Sequence, residues 1–217
     1  MTALYELERP KTFAEVCGHS KVLKRLLCLE KTVGLRGQVL WITGESGTGK
    51  TTIARITASV IADDNTTFEV DAQDVSLEML RDWEKMAQYK PLFGGGYCFI
   101  INEAHGLSSK AVSRLQTLLE DSHVQKYSTW IFTTTNKGER LLFDSKFDAC
   151  PFLSRAVCLK LELDEPTCLA MAERLQSIAR KHGVDGKPVN DYVNLLMDCK
   201  LNMRQALQRI ASGEMLD

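Results

Sequence analysis

Residues 44–51 read Gly44-Glu45-Ser46-Gly47-Thr48-Gly49-Lys50-Thr51. The stretch satisfies G-x-x-x-x-G-K-[ST]. Its flanks give the motif the context it requires: an apolar run, Gln38 to Thr43, predicts a buried strand, and Lys50 to Ala62 predicts a helix. Each part has a physical task. The glycines let the backbone curl so that successive N–H groups face a phosphate. The helix starting near Lys50 adds its positive dipole end. Lys50 reaches the β- and γ-phosphates, and Thr51 offers a hydroxyl to Mg²⁺. A strand, a glycine loop and a helix in that order define a P-loop, and so an α/β fold.

Outward from this unit the chain alternates strand and helix. His19 to Val33 is amphipathic, with Val22, Leu23, Leu26, Leu27 and Leu29 at helical spacing. Strands are predicted at Thr67 to Val70, Tyr97 to Asn102, Ser128 to Thr135 and Ala156 to Leu163. Helices are predicted at Ser76 to Gln88 and Ser108 to Asp121, the latter capped by Ser108 or Ser109. Strands separated by helices imply a parallel sheet with helices on both faces. After Leu163 the pattern becomes purely helical: Pro166 to His182, Val189 to Lys200 and Met203 to Gly213. The division expected is therefore residues 1–163, a nucleotide-binding α/β domain, and 164–217, a small three-helix lid.

Composition narrows the function classes. The chain has 217 residues, 44% of them hydrophobic, and a formal net charge of -1. That suffices for a buried core and excludes a histone-like polycation, so any contact with nucleic acid must come from a local patch. No apolar run has the roughly 18 residues of a spanning helix, and the N-terminus lacks a secretory pattern. A cytoplasmic setting without membrane attachment is expected. The seven cysteines form no C-x-x-C pair. They are read as reduced thiols packed as small apolar residues, with no zinc site. The four histidines have no metal-ligand spacing either.

The second motif is Cys98-Phe99-Ile100-Ile101-Asn102-Glu103-Ala104-His105. An apolar strand ending in two acidic residues is a Walker B element: the first orders Mg²⁺ and the second polarises the attacking water. Here Asn102 stands first, offering an oxygen without the charge a hard cation prefers. Restoring the charge with Asn102→Asp is expected to raise Mg²⁺-dependent turnover. Glu103 is the candidate general base.

Together these motifs resemble the AAA+ ATPases of the DNA clamp-loader group, over nearly the whole chain. Glu8-Arg9-Pro10-Lys11-Thr12-Phe13-Ala14-Glu15-Val16-Cys17-Gly18-His19 is similar to the family's opening Y-R-P-x-T-F-x-E-V-V-G-Q, with Glu8 for Tyr and His19 for Gln. Phe68-Glu69-Val70-Asp71-Ala72 resembles its second strand, and Asn102-Glu103-Ala104-His105-Gly106-Leu107-Ser108 its D-E-x-H-x-L-S. The resemblance implies a RecA-like AAA+ module binding ATP and Mg²⁺. Nucleotide contacts are implied for Arg9, Pro10, Val16, Cys17, for Glu45, Ser46, Gly47, Thr48, Gly49, Lys50, Thr51 and Thr52, and for Asn136 and Arg204. Thr51 and Asn102 would face the metal. Thr135 falls at sensor 1, with Asn136 as the neighbour that could replace it. Ser154-Arg155-Ala156 is similar to the S-R-C signature, whose arginine is a finger entering the adjoining subunit's site. Asn202-Met203-Arg204-Gln205-Ala206-Leu207 resembles G-D-x-R-x-A-L, whose arginine, sensor 2, reads the γ-phosphate. No catalytic role is assigned to His105.

The function implied is an ATP-hydrolysing motor subunit of a sliding-clamp loader in DNA replication. Its partners would be other loader subunits in a ring, the sliding clamp and primer-template DNA. Lys110, Arg114, Arg81 and Lys85 are candidates for DNA contact, and a solvated charged face explains them equally well. The bacterial zinc module and the helical collar are not expected in this chain. About eight extra residues are expected between Asn136 and Ser154, centred on 146–151. Two further readings stay open: a scaffold subunit that hydrolyses ATP weakly, which Asn102 favours, and a remodelling ATPase outside replication.

Overall fold

A computed structural model describes residues 2–92, 94–139 and 153–216. Five parallel strands, β1 (Val39–Gly44), β2 (Thr67–Asp71), β3 (Tyr97–Asn102), β4 (Ser128–Thr134) and β5 (Ala156–Leu161), form one sheet in the order β2-β3-β4-β1-β5. Every residue of β1 and β4 is buried, as is β3 beyond Tyr97. This explains why these three read as continuous apolar runs rather than as alternating patterns. The edge strand β2 has no buried residue.

Side chains alternate across the sheet and feed two cores. Trp41, Phe99, Ile101, Trp130 and Phe132 pack under α4 (Leu77–Ala87), α5 (Ser109–Glu120) and α6 (Ser122–Tyr127). Leu40, Ile42, Ile100 and Ile131 pack under α2 (Ser20–Thr32) and α3 (Lys50–Ile61). The first core is aromatic: Phe99 lies 4.4 Å from Trp130 and 4.8 Å from Trp83 between ring centroids. Truncating Trp130, 1% exposed, to Ala would cost about 3–5 kcal/mol.

A third core joins α7 (Glu165–Lys181), α8 (Val189–Asp198) and α9 (Met203–Ala211) around Leu175, Tyr192, Leu196 and Ile210. Asp164 caps α7 by accepting from Thr167 N–H at 3.1 Å, with a proline in the first turn, and Asn202 caps α9 through Gln205 N–H at 3.2 Å. Leu4 and Tyr5 of the short helix α1 (Leu4–Leu7) also pack on this core. The N-terminal segment therefore reaches the far side of the expected division at residue 163.

The remaining elements fall within a few residues of expectation. Ser108 caps α5, accepting from Ala111 N–H at 3.3 Å. β5 ends at Leu161 rather than Leu163. Helices α1 and α6 were not foreseen, being too short to show a period. The stretch 146–151, and Cys150 in it, lie outside the described residues. Cys17, Cys28, Cys98, Cys158, Cys168 and Cys199 are free thiols, and burial pushes the Cys98 thiol up. No helix among the described residues is long and apolar enough to cross a membrane.

Candidate functional site

The glycine loop leaves β1 at the carboxyl edge of the sheet, where α/β folds bind ligands. Gly47 and Gly49 adopt φ +77° and +97°. Gly49 occupies the N-cap of α3, and no side chain caps that helix, so its first N–H groups are left for an anion. Lys50, 6% exposed, turns its Nζ onto the carbonyls of Gly44 at 3.1 Å and Glu45 at 2.8 Å. Burial pushes its ammonium below the ordinary lysine range, while the charges of Glu103 and Glu45 oppose the shift. His19, buried with φ 52°, has Nε2 3.0 Å from the Thr48 carbonyl, bracing the loop from the start of α2.

Strand order brings the Walker B end to this loop. β4 lies between β1 and β3, so Thr133 sits beside both. Asn102 Oδ1 accepts from Thr133 Oγ1 at 2.9 Å and Thr51 Oγ1 at 3.3 Å. Asn102 Nδ2 donates to Glu69 Oε1 at 2.7 Å. Glu103 lines the cleft in a left-handed conformation, φ 50° and ψ 47°, which costs a non-glycine residue about 1 kcal/mol or more. His105 Nδ1 lies 3.0 Å from Thr134 Oγ1 and 3.5 Å from Glu103 Oε2.

The other wall comes from both ends of the chain. Arg9, Pro10, Val16 and Cys17 line the cleft with Ser46 to Thr52, and α7 and α9 close it with Arg174, Met203 and Arg204. The space enclosed is about 1040 Å³, part of it open to solvent. Arg204 stacks over Tyr5, its guanidinium carbon 5.5 Å from the ring centroid. Arg9 reaches Thr52 Oγ1 at 3.5 Å and is paired with Glu6. Glu8 straps this segment to the end of α7, 2.6 Å from Lys181 and 2.9 Å from His182, and these partners hold its carboxyl below the usual range.

Five predicted residues do not line the cleft: Asn102, which meets it through Thr51, and Glu45, Asn136, Thr135 and Arg155. Glu45 and Asn136 are joined to each other at 2.9 Å, and Asn136 Oδ1 is buried with no hydrogen-bond partner among the described residues. The Thr135 hydroxyl accepts from Gly138 N–H at 2.9 Å. Arg155 pairs with Glu120 at 2.7 Å. Of the basic DNA candidates, Arg114 bonds Glu84 across α4 and α5, and Lys85 pairs with Asp82 at 3.0 Å. Arg81 and Lys110 are exposed. The sequence did not single out Thr133, Glu69, Tyr5 or Arg174. Thr133 and Glu69 need strand register, and Tyr5 and Arg174 need the lid's position.

A P-loop nest, an uncapped helix N-terminus, a buried ammonium on carbonyls and two converging oxygens fit a nucleoside triphosphate with a divalent cation. The sequence model of the AAA family, the ATPase family associated with various cellular activities, matches residues 40–148. The chain belongs to that family, and ATP with Mg²⁺ is its cofactor. No curated protein matches the sequence. Among solved structures, the Thermotoga maritima RuvB Holliday junction branch migration motor is similar at TM-score 0.69 and 21% identity, over 94% of this chain and 64% of that one. The replication initiator DnaA bound to AMPPCP and single-stranded DNA is similar at TM-score 0.70 and 13% identity, over 95% of this chain and 65% of that one. The chain thus spans under two thirds of either protein. These likenesses establish the RecA-like AAA+ fold.

Proposed function

We propose that the chain is an ATP-hydrolysing motor subunit of a DNA sliding-clamp loader acting in replication in the cytoplasm. Its working parts are a nucleotide-binding domain, residues 1–163, and a lid, residues 164–217. Bound ATP·Mg²⁺ supplies the anhydride to be broken and the metal charge that offsets its phosphates. Lys50 and the loop N–H groups hold the phosphates, Thr51 and Asn102 face the metal, and Arg204 reads the γ-phosphate from the lid. Glu103 takes the proton of the attacking water. Thr135 or Asn136 serves as sensor 1, Asn136 reaching the loop through Glu45.

The observation that carries the reading is the position of Arg155. It immediately precedes the edge strand β5, outside the cleft that gathers Lys50, Glu103 and Arg204. An arginine finger in that position acts on a neighbour, which supports a ring. The N-E-A-H and S-R-A motifs together favour the loader among ring-forming ATPases. RuvB and DnaA, as their names state, are also DNA motors or initiators, which supports a DNA partner without choosing the clamp. Arg81 and Lys110 are the exposed residues offered to its backbone.

The neutral Asn102 favours a second reading, a subunit that binds ATP to assemble and turns it over weakly. Native mass spectrometry of affinity-purified complexes, with ATPase assays in the presence of a purified clamp and primed DNA, separates them. A ring containing a clamp, with turnover stimulated by both, is expected. Ring assembly without clamp capture would overturn the loader reading. Clamp capture with flat turnover would select the scaffold.

A further inference from the structure

Position 102 carries an amide where a carboxylate is expected, and its neighbours give that amide one orientation. Asn102 is 9% exposed. Glu69 accepts from its Nδ2 at 2.7 Å, while Thr133 and Thr51 donate to its Oδ1 at 2.9 and 3.3 Å. A carboxylate can only accept. Turning the amide over would set Oδ1 against the Glu69 carboxylate, whereas the two hydroxyls can donate to Oδ1 or accept from Nδ2 alike. Glu69 therefore decides which end of Asn102 faces Thr51. Glu69 is itself fixed by Arg55, whose Nε and Nη2 donate at 2.6 and 3.1 Å. Arg55 stands one turn after Thr51 on α3, and Glu69 lies on β2, two residues before the register partner of Asn102.

We propose that Glu69 is a positioning residue for the metal centre: it turns Asn102 Oδ1 toward Thr51 and makes an uncharged amide the residue compatible with position 102. This rests on the reading that Thr51 and Asn102 face Mg²⁺. The acidic charge absent from position 102 is kept one hydrogen bond further out, on Glu69, where Arg55 balances it. An aspartate at 102 would place two carboxylates in hydrogen-bond contact, where both cannot stay ionised at ordinary cost. This runs against the expectation that Asn102→Asp by itself raises Mg²⁺-dependent turnover.

The test measures binding of a labelled non-hydrolysable ATP analogue across a Mg²⁺ titration and in EDTA, with melting of the ligand-free protein alongside. Glu69→Ala should raise the Mg²⁺ needed for half-maximal tight binding by about 10–100-fold, as loss of an outer-shell partner does, and leave binding in EDTA unchanged. Glu69→Gln keeps an acceptor for Asn102 Nδ2 and should stay close to wild type. Asn102→Asp should lower the melting temperature and weaken Mg²⁺ dependence, and Glu69→Gln/Asn102→Asp should recover both. The proposal is overturned if Glu69→Ala lowers melting yet leaves Mg²⁺ dependence within twofold, since Glu69 is then only a structural ion pair. It is also overturned if the two substitutions combine additively, a result still readable should Glu69→Ala fail to fold. Wild-type binding that is identical in EDTA and Mg²⁺ would instead refute the metal-site reading beneath it.

Discussion

Replacing Lys50 by Met separates binding from folding. Lys50 is 6% exposed and its ammonium rests on two carbonyl dipoles, with no carboxylate ion-paired to it among the described residues. Burial lowers its pKa, so at neutral pH the folded protein carries a desolvation cost. The sign follows from linkage: a depressed lysine costs stability while it is charged in both states, and the cost fades only as pH rises through the folded value. Met keeps the stem's volume and removes the charge, so ligand-free stability should fall by no more than about 1.5 kcal/mol. The nucleotide response should vanish. A ligand at 100 times its Kd adds about 2.7 kcal/mol, and for a chain of this length that raises Tm by about 5–10 °C. Thermal melts with and without ATP·Mg²⁺, and titration with labelled ATP, read both effects. A variant that keeps the full ATP-induced rise would refute the phosphate role. Loss of more than about 3 kcal/mol without ligand would refute the claim that the buried charge is a cost.

Arg155→Ala should leave stability within about 1 kcal/mol, since its pair with Glu120 is exposed, but cut ring turnover by about 10³–10⁵. Mixing it with Lys50→Met subunits should restore part of the activity in a homo-oligomer, and no recovery in intact mixed rings would sink the finger assignment. Burial depresses the His19 imidazole pKa, so stability is fully present above the unfolded value of about 6.5 and declines as pH falls. Urea melts of His19→Gln should show a flatter profile from pH 7 to 5, and an unchanged slope would count against a neutral buried His19. Glu8 is held ionised by Lys181 and His182, so its contribution is present above the unfolded value of about 4.3 and lost as pH falls through the folded value. Glu8→Gln should cost about 1 kcal/mol at pH 7, with the gap to wild type narrowing as pH falls below the unfolded value; a gap that does not narrow down to acid unfolding would assign the loss to packing.

The parts legible in sequence were those whose signal is local. Gly47 and Gly49 announce a left-handed loop by their spacing, and the runs through β1, β3 and β4 announce a sheet covered on both faces. Helices α2, α3 and α7 show their period because each has three turns or more. What stayed hidden depends on register or on distant contact. Thr133 reads as one threonine among three until β4 is placed between β1 and β3. Glu69 reads as a solvent-side residue of a short strand until Arg55 and Asn102 meet it. Glu8 departs from the resembled pattern, and its partners lie more than 170 positions away. Thr135 stands just past the end of β4, and that its hydroxyl accepts from Gly138 N–H depends on the turn that follows.

The C-terminal helical unit touches the P-loop at the start of α9. A Cβ on Gly47 would lie 2.0 Å from Asn202 Oδ1, and Asn202 caps the helix that carries Arg204. Gly47 is thus required twice, for its positive φ and for this close approach. On the opposite side, Thr167 in the first turn of α7 leaves no room for a Cβ on Gly18, next to His19. His19 in turn reaches the Thr48 carbonyl. The glycine loop is therefore in contact with the helical unit directly, through Asn202, and indirectly, through His19 and Thr167. A ligand that orders residues 47–49 must bias where α7 and α9 sit, because packed surfaces at such distances cannot shift independently.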